Sequence, residues 1–432
     1  MARVNARSVN DLKTHEGAIA HPINQTQALR RSVMACLLWE DSFYEDGVSI
    51  AERITTLCKT VPLADISQIA IDARGKFNLR HVPLLLVREM ARRGGPLVSS
   101  TLSAVIQRAD ELSEFLAIYW RDGKEPLSAQ VKKGLAQAFL KFNAHQLAKY
   151  NRDNKVKLRD VLFLCHAKPE GEAQEVLFKQ LINGTLPIPE TWESALSGGQ
   201  DKKEVFTKLM QENKLGGLAF LRNLRNMKES GVDKSVVAAY SQTVNIDRIL
   251  PFRFISAARV VPEWEDVIEQ IMFRALEKAE KLRGKTVVLV DNSGSMSGAK
   301  VSAKSDIDRS DAACALAILL REICEDVRII AFSTSPTVIA PRRGFALAEA
   351  IQKSETGGTD TGKALVFANQ EAYDRIIVIT DEQSSSAIPN PTSTGYFINV
   401  SINQNGIGYG AWNHIDGFSE AVIEWIKQTE AE

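Results

Sequence analysis

The sequence predicts an α-solenoid over residues 1–283 followed by a doubly wound α/β domain over residues 284–432. Three observations carry that division. Residues 26–280 are almost entirely helical pattern; near Gly284 the pattern changes to uniformly apolar strands alternating with helices; and the charge changes sign at the same place. Residues 1–284 hold 41 Lys+Arg against 34 Asp+Glu, and the remainder 12 against 19, so a net charge of zero divides into +7 and −7. The basic part permits a polyanionic partner, and the acidic part is a poor nucleic-acid binder by itself.

The helical elements follow in order. QALRRSVMACLLWE, SIAERITTLCKT, HVPLLLVREMARR, SAVIQRADELSEFLAIYWR and AQVKKGLAQAFLKF place apolar residues at i, i+3, i+4 and i+7. Short breakers divide them: DG at 46–47, VPLAD at 61–65, RRGGP at 92–96 and DGKEP at 122–126. Helix pairs joined by short turns suggest a stacked solenoid, although no strict repeat period exists and an irregular bundle is the alternative. Beyond Gly284, TVVLVD reads as a buried strand, DRSDAACALAILLREICE as a helix, VRIIAFS as a strand and FALAEAIQKS as a helix. TGKALVFANQEAY is a helix, DRIIVITDE and TGYFINVSIN are strands, and FSEAVIEWIKQTEAE is a closing amphipathic helix. Such alternation means a parallel sheet covered on both faces.

No run of about 18 apolar residues is present, and residues 1–32 lack the apolar core of a signal peptide. The five cysteines are scattered, without CxxC spacing, which suits buried, reduced thiols in a cytoplasmic protein with no membrane attachment.

The chemistry concentrates at strand ends, where open α/β sheets bind ligands. Asp291, Ser293 and Ser295 leave the first strand in VDNSGSMSG, GGTDTG carries Thr359, and ITDE carries Asp381. Carboxylates and hydroxyls are hard oxygen ligands suited to Mg²⁺ or another divalent cation. GGTDTGKA nearly spells a phosphate-binding loop, but Ala364 stands where a hydroxyl is required and no apolar strand precedes it. Hydrolysis through Ser293 lacks a base, since no histidine occupies the neighbouring strand-exit loops and His414 is far down the chain.

Basic residues recur at helix ends: Lys149, Arg152, Lys155, Lys157 and Arg159, then Arg222 and Arg225, then Arg253 and Arg259, with Tyr150 and Phe252 as aromatic neighbours. They suit phosphate contact and base stacking, or are ordinary solvated residues at helix termini.

Two resemblances sharpen these readings. Asp291-x-Ser293-x-Ser295, with Thr359 and Asp381 following in order, resembles the von Willebrand factor A domain and its metal-ion-dependent adhesion site. That resemblance implies a site that binds rather than cleaves, its open position taken by water or an acidic residue of a protein partner. KVKLRDVLFLCHAKPE, GLAFLRNLRNM and ILPFRFISAARVV resemble the signature stretches of the TROVE module of Ro autoantigen-like ribonucleoproteins, in which an A domain follows. This implies a ring of HEAT-like helix pairs, monomeric and noncatalytic, that binds small noncoding Y-like RNAs and the single-stranded 3′ ends of misfolded RNAs. Within KVKLRDVLFLCH the implied RNA contacts are Lys157, Arg159 and His166, with Lys149, Arg152, Arg222 and Arg225 as extensions. His166, in an apolar helix, reads equally as a core histidine.

Overall fold

Helix dominates upstream of the sheet, as the periodicity predicts. The computed structural model describes residues 17–18, 24–34, 47–76, 79–151, 155–187, 193, 196, 201–246, 249, 251–277, 280–298, 307–400, 407–416, 422, 426 and 430. The chain forms two compact units, one holding Gln25–Met34 and Ala51–Gln200, the other holding Asp201–Glu432.

In the first unit and its approach the helices are α1 (Gln25–Met34), α2 (Gly47–Leu57), α3 (Leu63–Gly75), α4 (His81–Arg93), α5 (Leu97–Val105), α6 (Asp110–Tyr119), α7 (Ala129–Phe139), α8 (Ala144–Tyr150), α9 (Leu158–Cys165) and α10 (Glu172–Asn183). Alternate helices lie side by side: α1 on α3, α3 on α5, α5 on α7 and α7 on α9, with α4 against α6. That arrangement is a stacked solenoid and not an irregular bundle. Gly134 of α7 permits a close approach to α5, because a Cβ there would sit 2.8 Å from the Ser99 carbonyl. Starts are set locally: the Ser128 hydroxyl accepts from the Val131 N–H at 3.3 Å, and Asn143 with Gln146 forms a capping box at α8. Buried charges are paired, as with Arg74 and Glu111 at 2.7 Å.

The second unit opens with α11 (Lys202–Gln211), α12 (Gly217–Glu229), α13 (Lys234–Ser241), α14 (Pro251–Val260) and α15 (Glu265–Glu277), again with alternate helices adjacent. The sheet follows, with β1 (Leu282–Asp291), β2 (Cys324–Phe332), β3 (Pro336–Val338), β4 (Arg375–Thr380), β5 (Thr394–Asn399) and β6 (Asn413–Asp416) in the order β3-β2-β1-β4-β5-β6. The helices among these strands are α16 (Arg309–Ile323), α17 (Gly344–Gln352) and α18 (Thr361–Ala368). The expectation of a wholly parallel sheet is corrected at one edge, where β3 runs antiparallel to β2. The three residues of β3 and the four of β6 are too short to carry a strand pattern in sequence. The predicted closing helix, 418–432, lies largely outside the described residues.

Val287, Leu289, Ile330, Ile376, Val378 and Phe397 fill one face of the sheet, each at most 1% exposed. Burying a side chain of that kind is worth roughly 2 kcal/mol. Cys58, Cys165, Cys314 and Cys324 are buried free thiols, as expected, and burial pushes Cys58 up to about 12 and Cys165 to about 11. Cys36 lies outside the described residues.

The change of pattern at Gly284 is therefore not where the packing unit begins, because α14 and α15 are joined to the α/β elements. Both terminal guanidinium nitrogens of Arg259 in α14 donate to the carboxylate of Asp311 in α16. Asp311 is fully buried, and burial with the neighbouring Asp308 pushes its carboxyl above the usual range while Arg259 opposes them. Glu269 of α15 accepts from the Phe345 N–H at 2.9 Å, at the start of α17. Gly344 adjoins it at φ +55°, where a Cβ would collide with the Glu269 carboxylate. Arg259→Ala is expected to destabilise the protein by about 2 kcal/mol, below the usual cost of breaking a buried pair because Arg259 is half-exposed and Gln352 still donates to Asp311. Urea unfolding measures it, and an unchanged midpoint would count against the clamp.

Candidate metal centre and nucleic-acid face

Asp291, Ser293, Ser295 and Asp381 meet at the C-terminal ends of β1 and β4, the point where strand order reverses, and the backbone of Thr359 is bonded to the loop after β4. Asp291 ends β1, and both its carboxylate oxygens are held: Oδ1 accepts the Ser293 N–H at 2.8 Å and Oδ2 accepts the Thr380 hydroxyl at 2.6 Å. The Ser293 and Ser295 hydroxyl oxygens are 3.2 Å apart, and the Ser295 hydroxyl hydrogen-bonds Asp381, the residue after β4. Backbone bonds tie the exit loops of β1, β2 and β4 to the segment that carries Thr359, which links α17 to α18 and is not the strand-exit loop expected. Gly294 N–H donates to the Gly357 carbonyl at 2.9 Å, Asp360 N–H to Ser333 at 2.8 Å, and Ser385 N–H to the Thr359 carbonyl at 2.8 Å. Asp291, Ser293, Thr359 and Asp381 are each no more than 2% exposed.

So dry a place raises the pKa of both carboxylates. Burial, then the charge of Asp381, pushes Asp291 up to about 7. Burial likewise raises Asp381, against the pull of Arg309, whose fully buried guanidinium lies 3.6 Å away. Among the described residues no three His, Cys, Asp or Glu side chains gather to hold a metal, so the donors here are two carboxylates and hydroxyls. The set fits a hard divalent cation. Adjacent ligands of an octahedral ion at about 2.1 Å stand about 3.0 Å apart, close to the observed separation of the two serine hydroxyls.

Several residues of this site escape a reading of the sequence. Thr380, the hydroxyl preceding Asp381 in ITDE, is among them, and its role shows only in its bond to Asp291. Arg309 follows Asp308, which with Asp311 forms the capping box of α16. The reading that no histidine is near needs correction: β6 pairs with β5 and brings His414 Nε2 against the carboxylate of Glu382, next to Asp381. Glu382 is fully buried in the left-handed region at φ +63°, a strained backbone of the kind that collects at functional sites. The Ser293 hydroxyl nevertheless meets Ser295, not an imidazole.

The basic candidates separate between the two units. In the first, α9 is capped when the Lys157 N–H donates to Asp160 Oδ2 at 3.0 Å, and it ends at His166 in the left-handed conformation at φ +54°. Arg159 is 52% exposed and 3.8 Å from Asp160, and Lys157 is half-buried. His166 is exposed, which overturns the core reading of that residue. Lys149 lies 5.7 Å from the centroid of the Tyr150 ring, and Arg108 4.7 Å from it. Arg152 and the side chain of Phe252 lie outside what is described. In the second unit Arg222 and Arg225 project from α12, with Arg225 paired to Glu229 at 2.9 Å, while Arg259 is taken up by Asp311.

Comparison with known proteins agrees with both resemblances. Residues 184–286 match the model of the TROVE domain, and residues 286–383 that of the von Willebrand factor type A domain. Lys157, Arg159 and His166 precede the first matched stretch, while Arg222 and Arg225 fall within it. The chain is similar to the RNA-binding protein RO60 of Deinococcus radiodurans, 23% identical over 391 residues that cover 74% of this chain and 72% of that protein. Its fold is similar to the crystal structure of the Deinococcus radiodurans RO (RSR) protein, with a TM-score of 0.58 at 17% identity, covering 93% of this chain and 98% of that one.

Proposed function

We propose that this chain is a noncatalytic RNA-binding protein of a small cytoplasmic ribonucleoprotein, acting on small noncoding Y-like RNAs and on single-stranded ends of misfolded RNAs. The observation that carries the reading is the run of basic residues along α9, where half-buried Lys157 at its start and exposed Arg159 and His166 follow one another on a solenoid. The similarity to a protein named for RNA binding supports it. Contacts of this kind address phosphate and the shape of a stem with a tail, not a sequence code. The A domain adds a second site, where Asp291, Ser293, Ser295, Thr359 and Asp381 would hold Mg²⁺ or a similar cation with a position left for an acidic residue of a protein partner. The Arg309 charge beside Asp381 offsets part of the repulsion between the two carboxylates.

The test is recovery of RNA crosslinked to the protein in cells, followed by binding of the enriched species across a salt series. Affinity is expected to fall log-linearly with salt, by about 0.7 to 0.9 per phosphate contact. A salt-insensitive association, or no enriched RNA, would leave a protein-interaction scaffold as the better reading.

A further inference from the structure

We propose that Phe163 is a stacking platform for an unpaired base of single-stranded RNA, set between Arg159 and His166 on the outer face of α9. This role rests on the RNA-binding reading above and adds a residue to it. Phe163 is 57% exposed, and it is the one exposed aromatic side chain among the described residues.

A single apolar side chain in water says little by itself. Its surroundings are what give this one meaning. The inner face of α9 is complete without it, since Leu158, Val161, Leu162 and Cys165 are all buried. Phe163 therefore contributes little to packing and presents most of its ring to solvent. Arg159 precedes it by four residues and His166 follows by three, so helical spacing puts all three along one stripe. Arg159 and His166 are exposed as well. A cation, a bare aromatic ring and an imidazole in a row match the alternation of phosphate and base along a single strand. The left-handed turn at His166 ends the helix there, so that the imidazole closes the stripe.

Tyr150, the aromatic residue that the sequence put forward, is less suited. Its ring already carries the Arg108 guanidinium at 4.7 Å, and its side chain is half-buried. The occupant implied is a nucleobase, because a ring beside the Arg159 guanidinium suits a polyanion whose bases are unpaired.

The test uses the full chain and a short fluorescein-labelled oligoadenylate, read by anisotropy. F163A is expected to weaken binding at least about five-fold, the low end of what one stacked base contributes, with the salt slope unchanged because every phosphate-binding cation is kept. F163W should retain affinity, since the indole offers a larger face. An oligoadenylate with 2-aminopurine in place of adenine should be quenched by the wild type and less by F163A, which separates stacking from a general loss of fold. Equal affinity of F163A and wild type, or equal weakening by F163A and F163W, would overturn the stacking role while leaving the RNA reading in place. Failure of the wild type to bind any single-stranded RNA would overturn both.

Discussion

Asp291→Ala is expected to abolish detectable Mn²⁺ or Mg²⁺ binding, a loss of more than about 100-fold, since even outer-shell partners of a metal cost 10- to 100-fold when removed. The placement of the carboxylate is the reason. It ends β1, is 1% exposed, and is oriented by the Ser293 N–H and the Thr380 hydroxyl before any cation arrives. Removing it leaves Asp381, Thr359 and two serine hydroxyls, which with Arg309 nearby have too little negative charge for a doubly charged ion. Asp291→Asn separates charge from shape: it keeps an acceptor for the Ser293 N–H and should still lose most of the affinity. Titration calorimetry and the paramagnetic signal of Mn²⁺ report the binding. Affinity similar to that of the wild type in either variant would refute the site.

The pH dependence of that binding follows from the same burial. A carboxyl raised to about 7 is protonated in much of the metal-free protein below neutrality. A cation must displace that proton, so affinity is expected to rise with pH through neutrality and level off once Asp291 is ionised. The sign for stability without metal is opposite. The folded state holds the proton more tightly than the unfolded chain, so this group favours folding most at pH values below its unfolded pKa. That contribution is lost as pH rises toward about 7. Added divalent cation should reverse the trend. Thermal melts with and without Mg²⁺ at two pH values would show whether the two slopes differ in sign.

How far these sites were legible depends on whether their chemistry is local in sequence. Asp291, Ser293 and Ser295 lie within five residues, and the uniformly apolar TVVLV before them marks a strand end, so their juxtaposition was readable. Asp381 sits in the exit loop of β4, and parallel topology alone puts that loop beside the end of β1, whereas Thr359, read as a strand-exit residue, lies between α17 and α18 and reaches the site only through packing. His414 was not readable in the same way. It depends on the short strand β6 lying next to β5, and four residues reading NHID carry no hydrophobic run to announce a strand. Arg309 resembled any charged residue at a helix start, and only tertiary packing buries it completely. The exposure of His166 and Phe163 was hidden because an eight-residue helix leaves the inner face ambiguous until neighbouring helices pack on it. Arg259 shows the opposite error, since a basic residue at a helix end reads as solvated until Asp311 is placed against it.

Charge reversal at Lys157 and Arg159 together is expected to weaken RNA binding by about 25-fold or more near 0.1 M salt, and to flatten the salt dependence. One phosphate contact to a single strand contributes about 0.7 to the slope of log affinity against log salt, roughly five-fold per contact at 0.1 M relative to 1 M. Removing both cations multiplies to about 25-fold and lowers the slope by about 1.4, and the reversed charges then repel the phosphates. The fold should tolerate the change. The α9 cap uses the Lys157 backbone N–H, which Lys157→Glu keeps, and the Arg159–Asp160 pair is an exposed one at 3.8 Å, worth at most about 1 kcal/mol. The double variant should therefore melt near the wild-type temperature while its binding falls. Arg222→Glu with Arg225→Glu on α12 should have a smaller effect, because Glu229 already occupies Arg225. Since Asp291 belongs to the other compact unit, the α9 variant should bind Mn²⁺ as the wild type does. Unchanged affinity and slope in the Lys157 and Arg159 variant would remove α9 from the RNA-binding face.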